Sequence, residues 1–191
     1  IVNGRNRAKA EAVAATFPDA SVAIGDLSTP DGAAAVAAAV RTGGPLDILV
    51  NNVGFFEVKP LAQLEDADWQ RMFDLNVMSS VRMAKAFLPD MLARGTGRIV
   101  FVASEQSAKP NPDMLHYAMT KAAQVSISRG LAELTRGTGV TVNSVLVAPT
   151  WTEGVDRFLT EAAAAQGTTR DTLRQDYFVR GDGTSSLLAR F

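Results

Sequence analysis

The chain has 191 residues, 47% hydrophobic and 20% charged, with a formal net charge of −1. That is an ordinary composition for a globular domain with a sizeable core, and the mildly acidic balance leaves no basic stripe for nucleic acid or an anionic membrane surface. Without cysteine and with a single histidine, His116, disulfides, thiolate metal sites and a zinc-binding histidine cluster are excluded, so no metal is expected.

No apolar run reaches the roughly 18 residues that a membrane helix needs, and no signal-peptide pattern is present. Lack of cysteine fits a reducing cytoplasm, which is the expected location.

Ile1-Val2 ahead of "NGRN" reads as the end of a strand entering a helix. A short β-like run at Ser21–Gly25 follows and ends on Asp26. Thr29-Pro30-Asp31 then supplies an N-cap, a first-turn proline and a first-turn acid, and the Ala-rich "AAAVAAAV" fills an outer helix stopped by Gly43. Ile48–Val50 is the next strand, leading into Asn51–Gly54. From about Asp66 to Arg94, Trp69, Met72, Phe73, Val77, Met83, Phe87, Leu88 and Met91 recur at helical spacing, a stripe suited to a core or a subunit interface. Gly95 stops it. A strand at Arg98–Ala103 ends on Ser104, and a helix of about Asp113–Arg136 closes at Gly137. After a strand at Thr141–Val147, the chain from Trp151 to Phe191 is charged, partly helical ("DRFLTEAAAAQ"), then rich in Gly and Ser.

Strands alternating with helices of this length predict βαβ crossovers and a parallel sheet covered on both faces. The apolar runs "GRIVFVAS" and "GVTVNSVLVA" are nearly continuous, as doubly buried parallel strands are. The expected fold is α/β, a Rossmann-like doubly wound sheet in three α/β/α layers, forming one domain over 1–191. In such a sheet ligands bind beyond the carboxyl ends of the strands. The residues to weigh are therefore Asp26, Asn51 to Gly54, Ser104, and Val147 to Thr152.

Each candidate has an ordinary reading beside a chemical one. Tyr117 and Lys121 in "YAMTK" stand one helical turn apart on one face, which describes a solvated i,i+4 pair as well as a working pair. Asn51–Gly54 fits a tight turn with glycine at positive φ. Asp26 fits a cap after a strand. His116, next to Tyr117 on a helix, points about 100° away from it, and a satisfied or exposed side chain is expected.

In chain order these segments resemble the short-chain dehydrogenase/reductase family. "DILVNNVG" resembles its N-N-A-G strand end at Asn51, Asn52, Val53 and Gly54; "FDLNVMSS" places its helix asparagine at Asn76. "RIVFVASEQSA" corresponds to the strand delivering a catalytic Ser104, "YAMTK" to Y-x-x-x-K, and "GVTVNSVLVAPTWTEG" to the nicotinamide-contacting segment. Any one is weak; the ordered set is specific.

The resemblance implies an NAD(P)-dependent oxidoreductase acting on a carbonyl/secondary alcohol pair, closest in character to 3-oxoacyl-carrier-protein reductases. Asn76, Ser104, Tyr117 and Lys121 would be catalytic. Ser104 would hold the substrate oxygen, and Tyr117 would exchange the proton. Lys121 would lower the phenol pKa from its usual value of about 10 and grip the nicotinamide ribose, and Asn76 would anchor a proton-relaying water chain. Asn52, Val53 and Gly54 would approach the adenosine ribose, which a Cβ at Gly54 would hinder. Asp26 and Leu27 would line the adenine pocket, and Thr150 and Thr152 would meet the carboxamide. Glu105, Gln106 and Ser107 after the catalytic serine, with Trp151, would touch substrate.

Where NAD-specific members carry an acid, the chain reads Asn3-Gly4-Arg5-Asn6, and Arg5 can pair with a 2′-phosphate, so NADP(H) is favoured over NAD(H). Arg5 as a solvated helix-opening residue is the ordinary alternative. A homodimer or homotetramer packed through the two long helices is implied.

Two departures are visible. No G-x-x-x-G-x-G or G-x-G-x-x-G segment joins a strand to a helix, and Val147-Ala148 stands where Pro-Gly is common. The chain is expected to lack a first βα unit and a closing strand, so that by itself it would hold cofactor poorly. Residues 151–191 would cover the substrate, with Gly181-Asp182-Gly183 in a mobile lid. Two rivals remain open: a non-catalytic nucleotide-binding scaffold, against which the intact catalytic set argues, and a sugar-nucleotide epimerase or dehydratase, which shares Y-x-x-x-K but has a larger carboxyl-terminal domain.

Overall fold

The computed structural model describes residues 1–179. The chain divides into two compact units, Ile1–Leu146 and the part from Val147 onward. The expected lid at Gly181–Gly183 and any closing strand lie outside the described residues.

The first unit alternates strands and helices: β1 (Val2–Gly4), α1 (Arg7–Ala14), β2 (Val22–Ile24), α2 (Pro30–Arg41), β3 (Ile48–Asn51), α3 (Asp66–Phe73), α4 (Ser79–Arg94), β4 (Thr96–Ser104), α5 (Leu115–Leu134) and β5 (Gly139–Val147), the last running into the second unit. β1 and β2 pair in parallel, Val2 opposite Val22 and Gly4 opposite Ile24. β3 and β4 also pair in parallel, Ile48 opposite Arg98 and Asn51 opposite Phe101, and β5 flanks β4 in a three-stranded sheet of order β3-β4-β5. The fold is the α/β, Rossmann-like one that the alternation predicts.

Local chemistry sets the helix ends. Thr29 Oγ1 accepts from Gly32 N at 3.1 Å with Pro30 at the first position of α2, and Gly95 ends α4 at φ +70°. α2 needs its small residues to approach β2: a Cβ on Gly25 would stand 2.6 Å from Val36 Cγ2, and one on Gly32 would stand 2.2 Å from the Asp26 carbonyl oxygen. Val36, Ala37 and Val40 of α2, Met83, Phe87 and Met91 of α4, and Ile99 and Phe101 of β4 form the centre of the core.

Two features differ from the sequence pattern. The single helix expected over Asp66–Arg94 carries a π-helical turn at Asp74–Met78, with Asn76 and Val77 buried in it. Such one-turn bulges occur inside α-helices, frequently at functional sites, and this one carries the buried Asn76. Second, among the described residues β3 is covered on one face only: Ile48 and Val50 are 59% and 56% exposed, whereas Leu49 and Asn51 are buried. The two sheets are separate, and a cavity of about 620 Å³ between β1 and β3 is lined by Ile1, Asn3, Ile48, Val50, Met83 and Phe87 among others.

In the second unit, α6 (Glu153–Gln166) and α7 (Arg170–Val179) follow β5. Leu159 and Ala163 are the buried side of α6, and Arg170 Nη1 joins Asp156 at 2.9 Å.

Candidate active site

The site in the first unit is assembled where β3, β4, the π-helical turn and α5 meet. β4 ends on Ser104, which caps the short turn Glu105–Ser107: its Oγ accepts from Gln106 N at 3.2 Å, while Ser107 Oγ donates to Ser104 O at 2.7 Å. Gln106 is buried and its Oε1 accepts from Asn111 N at 2.6 Å, holding the link from this turn toward α5. Asn111 Oδ1 in turn accepts from Asp113 N at 2.8 Å and opens the Pro112–Met114 turn before the helix.

On α5, Tyr117 and Lys121 project from successive turns. The Ser104 side chain acts on the Tyr117 hydroxyl, and Lys121 Nζ lies 5.7 Å from the Tyr117 ring centroid. Lys121 is only 5% exposed, and its Nζ donates to the Val102 carbonyl at 2.8 Å. Burial lowers the Lys121 pKa to about 8, because a charged ammonium loses its hydration there. Burial likewise raises the Tyr117 pKa, and the Ser104 hydrogen bond opposes it. Burial thus sets the phenol above its ordinary value, where the resemblance implied a lowered one.

Asn76 organises the inner wall. Its Oδ1 accepts from Phe55 N at 2.8 Å, and its Nδ2 donates to Phe55 O at 2.9 Å and Thr120 Oγ1 at 3.0 Å. Gln124 Nε2 donates to the Asn76 carbonyl at 2.8 Å. A completely buried amide with its polar atoms paired in this way orders the segment after β3 against α5. That role explains a poor helix former in mid-helix, and the π-helical turn is how the amide reaches Phe55.

Gly54 lies between these groups. A Cβ there would come 3.5 Å from Lys121 Nζ and 3.8 Å from Asn76 Oδ1. Gly54 is not among the glycines of positive φ, so the tight-turn account of it does not apply. Asn52 and Val53 are exposed beside it, and buried Asn51 has an Nδ2 with no hydrogen-bond partner among the described residues.

The structure thus brings Ser104, Tyr117, Lys121, Asn76 and Gly54 together. Arg5, Asn3, Asp26 and Leu27 gather at the ends of β1 and β2. Asn3 Nδ2 donates to the carbonyls of Ala23 at 2.9 Å and Gly25 at 3.3 Å, so its amide joins the two strands. Arg5 pairs with Asp26 at 3.5 Å, and Leu27 is buried in the core. The Asp26 pKa is lowered, first by the Ser28 hydroxyl that donates to it at 2.7 Å, then by the Ser28 N–H, and further by Arg5. Thr150, Trp151 and Thr152 belong to the second unit. There Thr150 Oγ1 donates to Ala148 O, Thr152 Oγ1 caps α6, and the guanidinium of Arg174 lies 4.9 Å from the Trp151 ring centroid.

Sequence reasoning missed the aromatic and buried surroundings of Tyr117. Phe56 meets the Tyr117 ring edge-on, with centroids 6.4 Å apart. His116 is neither exposed nor satisfied: it is completely buried, and neither ring nitrogen has a hydrogen-bond partner among the described residues. "GFFE" directly after the N-N-x-G strand end was the available signal for Phe56.

A parallel-stranded α/β unit with serine, tyrosine, lysine and asparagine arranged in this way is an oxidoreductase scaffold. The chain belongs to the short chain dehydrogenase family, whose profile matches residues 1–162. It is 50% identical to the uncharacterized oxidoreductase YvrD of Bacillus subtilis, over all of this chain and 73% of that protein. With the uncharacterized oxidoreductase YvaG of the same organism it shares 40% identity, over 83% of this chain and 61% of that protein, so it spans about three fifths of YvaG. Its fold matches the crystal structure of L-sorbose reductase from Gluconobacter frateurii complexed with NADPH and L-sorbose at a TM-score of 0.89, with 28% identity over 99% of this chain and 73% of that one. Among the described residues no helix is long and apolar enough to cross a membrane, and no group of metal-binding side chains is present.

Proposed function

We propose that the protein interconverts a carbonyl and a secondary alcohol with NADP(H), in preference to NAD(H), and that Tyr117 is the general acid/base. The observation that carries this reading is Lys121 Nζ standing 5.7 Å from the Tyr117 ring centroid and beside the bare backbone of Gly54, with Ser104 acting on the Tyr117 hydroxyl.

The residues suit the cofactor. The missing side chain of Gly54 leaves room next to an ammonium, a pairing suited to ribose hydroxyls, with Asn52 and Val53 alongside. Exposed Arg5 has the planar fork that a 2′-phosphate accepts, and Asp26 with Leu27 would face the adenine. Thr150 and Thr152 are assigned to the carboxamide. The cofactor supplies or takes up the hydride.

The remaining work falls to side chains of the chain. Ser104 holds the substrate oxygen within reach of Tyr117, which gives up its proton in reduction and recovers it in oxidation. Asn76, whose buried amide is bonded to Phe55 and Thr120, serves by fixing the wall beside Tyr117 and not by holding a water. Glu105, Gln106 and Trp151 are assigned to the substrate wall. The NADPH and L-sorbose of the sorbose reductase structure support both the cofactor preference and a ketone substrate. We assign the protein to the cytoplasm, as one domain over 1–191 assembled into a homodimer or homotetramer through α3, α4 and α5. A groove of about 300 Å³ lined by Trp69, Phe73 and Met119 supports that packing.

The test is NADPH oxidation by the full chain across ketones, ketoses and 3-oxoacyl esters, wild type against Tyr117→Phe. Loss of the acid/base is expected to lower kcat by about 10²–10⁴-fold. Equal rates for the two would overturn the mechanism, and cofactor binding without turnover on any carbonyl would favour a non-catalytic scaffold.

A further inference from the structure

We propose that His116 is a positioning residue for Tyr117, acting through Glu57: together they tie the first turn of α5 to the segment Phe55–Lys59 and so hold Phe56 against the Tyr117 ring. The inference rests on Tyr117 being the acid/base of the reaction proposed above.

His116 is the one histidine of the chain and is fully buried, with its ring edge-on to Trp69 at 6.2 Å between centroids. Helical geometry turns it away from the reacting groups that its neighbour Tyr117 faces. Its Nε2 is directed at Glu57, with Oε2 at 3.5 Å, just beyond the 2.7–3.2 Å range of a normal hydrogen bond. A buried imidazole with both nitrogens unpaired is unfavourable, and a movement of a few tenths of an ångström by Glu57 gives Nε2–H an acceptor.

Glu57 is in place for that movement and restrained against any larger one. Arg71 Nη2 donates to the same Oε2 at 2.8 Å, and the Arg71 guanidinium lies over the Phe55 ring at 5.2 Å. Arg71 also reaches Asp68, whose Oδ2 holds Lys59 Nζ at 2.5 Å, and Lys59 N donates to the Asp113 carbonyl just before α5. Phe55 is fixed at both backbone groups by Asn76. Phe56 therefore sits in a short segment held at Phe55, Glu57 and Lys59. Glu57–His116 is the contact within that set that leads directly to the residue before Tyr117. Closing it fixes the angle at which the Phe56 edge meets the phenol ring and limits the positions that the hydroxyl can take toward a substrate oxygen.

The experiment compares His116→Leu, His116→Gln, Glu57→Leu and the His116→Leu/Glu57→Leu double variant of the full chain. Hydrogen exchange across residues 53–60 and steady-state kinetics are both read. His116→Leu and Glu57→Leu, which leaves no acceptor for Nε2–H, are each expected to speed exchange of that segment and to lower kcat about tenfold with KM for the cofactor unchanged. His116→Gln, which keeps a donor toward Glu57, is expected to restore kcat to within about twofold of wild type. The double variant should be no worse than the poorer single one, since both remove the same contact. Wild-type exchange and kcat in Glu57→Leu, or losses that multiply to about a hundredfold in the double variant, would overturn the proposal. The exchange comparison needs no turnover, so it decides the His116–Glu57 tie even where the carbonyl reading fails.

Discussion

Lys121 Nζ donates to the Val102 carbonyl across 2.8 Å, so the ammonium of α5 is anchored on the strand that carries Ser104. The anchor places the charge but does not replace the water it lost, and burial lowers the pKa from 10.5 to about 8. Between those values the unfolded chain keeps a proton that the native chain has released, so stability rises with pH across the window. The expected gain from pH 8 to pH 10 is about 2 kcal/mol, read as a higher urea midpoint. Lys121→Met should abolish the rise. The raised pKa of Tyr117 acts only above its ordinary value of 10.0, where it opposes stability, so the window stays clear of it. A wild-type midpoint that is flat or falling from pH 8 to 10 would contradict this account.

Asn76→Leu removes the partners of both backbone groups of Phe55 and of Thr120 Oγ1 in one change. The unmade bonds predict a loss of about 2–4 kcal/mol in unfolding free energy by chemical denaturation. Asn76→Asp keeps the acceptor for Phe55 N but buries a carboxylate against the Phe55 carbonyl, so a loss at least as large is expected. Exchange protection at Phe55 N should disappear in the leucine variant and survive in the aspartate variant. Equal protection in the two would show that Asn76 does not hold the segment.

What could be read in advance, and what could not, follows from the physics of each residue. Ser104, Tyr117 and Lys121 were legible because strand ends and helical turns convert sequence spacing directly into position, and the structure places them together. The π-helical turn around Asn76 was hidden because nothing in the residue types of Asp74–Met78 separates an i→i+5 turn from the α-helix on either side. The acceptor for Lys121 was hidden because it is a backbone carbonyl, which every residue carries. His116 could be turned away from Tyr117 by helix geometry alone, yet its burial depends on Trp69 and Glu57 from distant segments, and no periodicity encodes those contacts. Exposure of Ile48 and Val50 escaped notice for a related reason: an apolar strand looks doubly buried whether or not a neighbour covers it.

Gly54→Ala separates folding from binding. The added Cβ would meet Lys121 Nζ at 3.5 Å and Asn76 Oδ1 at 3.8 Å, ordinary contact distances, and the backbone there has no positive φ to strain. Stability is therefore expected to stay within about 0.5 kcal/mol of wild type. The same methyl occupies the space assigned to the cofactor ribose, so the dissociation constant for NADPH, measured by fluorescence titration, should rise about tenfold or more. Unchanged affinity with unchanged stability would move the cofactor away from Gly54.

Arg5 and Asp26 form an ion pair at 3.5 Å with side chains 69% and 37% exposed, so the pair itself contributes under about 1 kcal/mol to stability. Its interest lies in the competition between Asp26 and a phosphate for the same guanidinium. If Arg5 receives the 2′-phosphate, Arg5→Ala lowers kcat/KM for NADPH by about tenfold while leaving that for NADH within twofold. Asp26→Asn should act in the opposite direction, because it frees Arg5 and removes a negative charge that repels the phosphate. The fold should be little changed in either variant, given the exposure of the pair, and matched urea midpoints check this. A preference for NADH in the wild type that persists in Arg5→Ala would refute NADP(H) as the cofactor and return Arg5 to the role of a solvated residue opening α1.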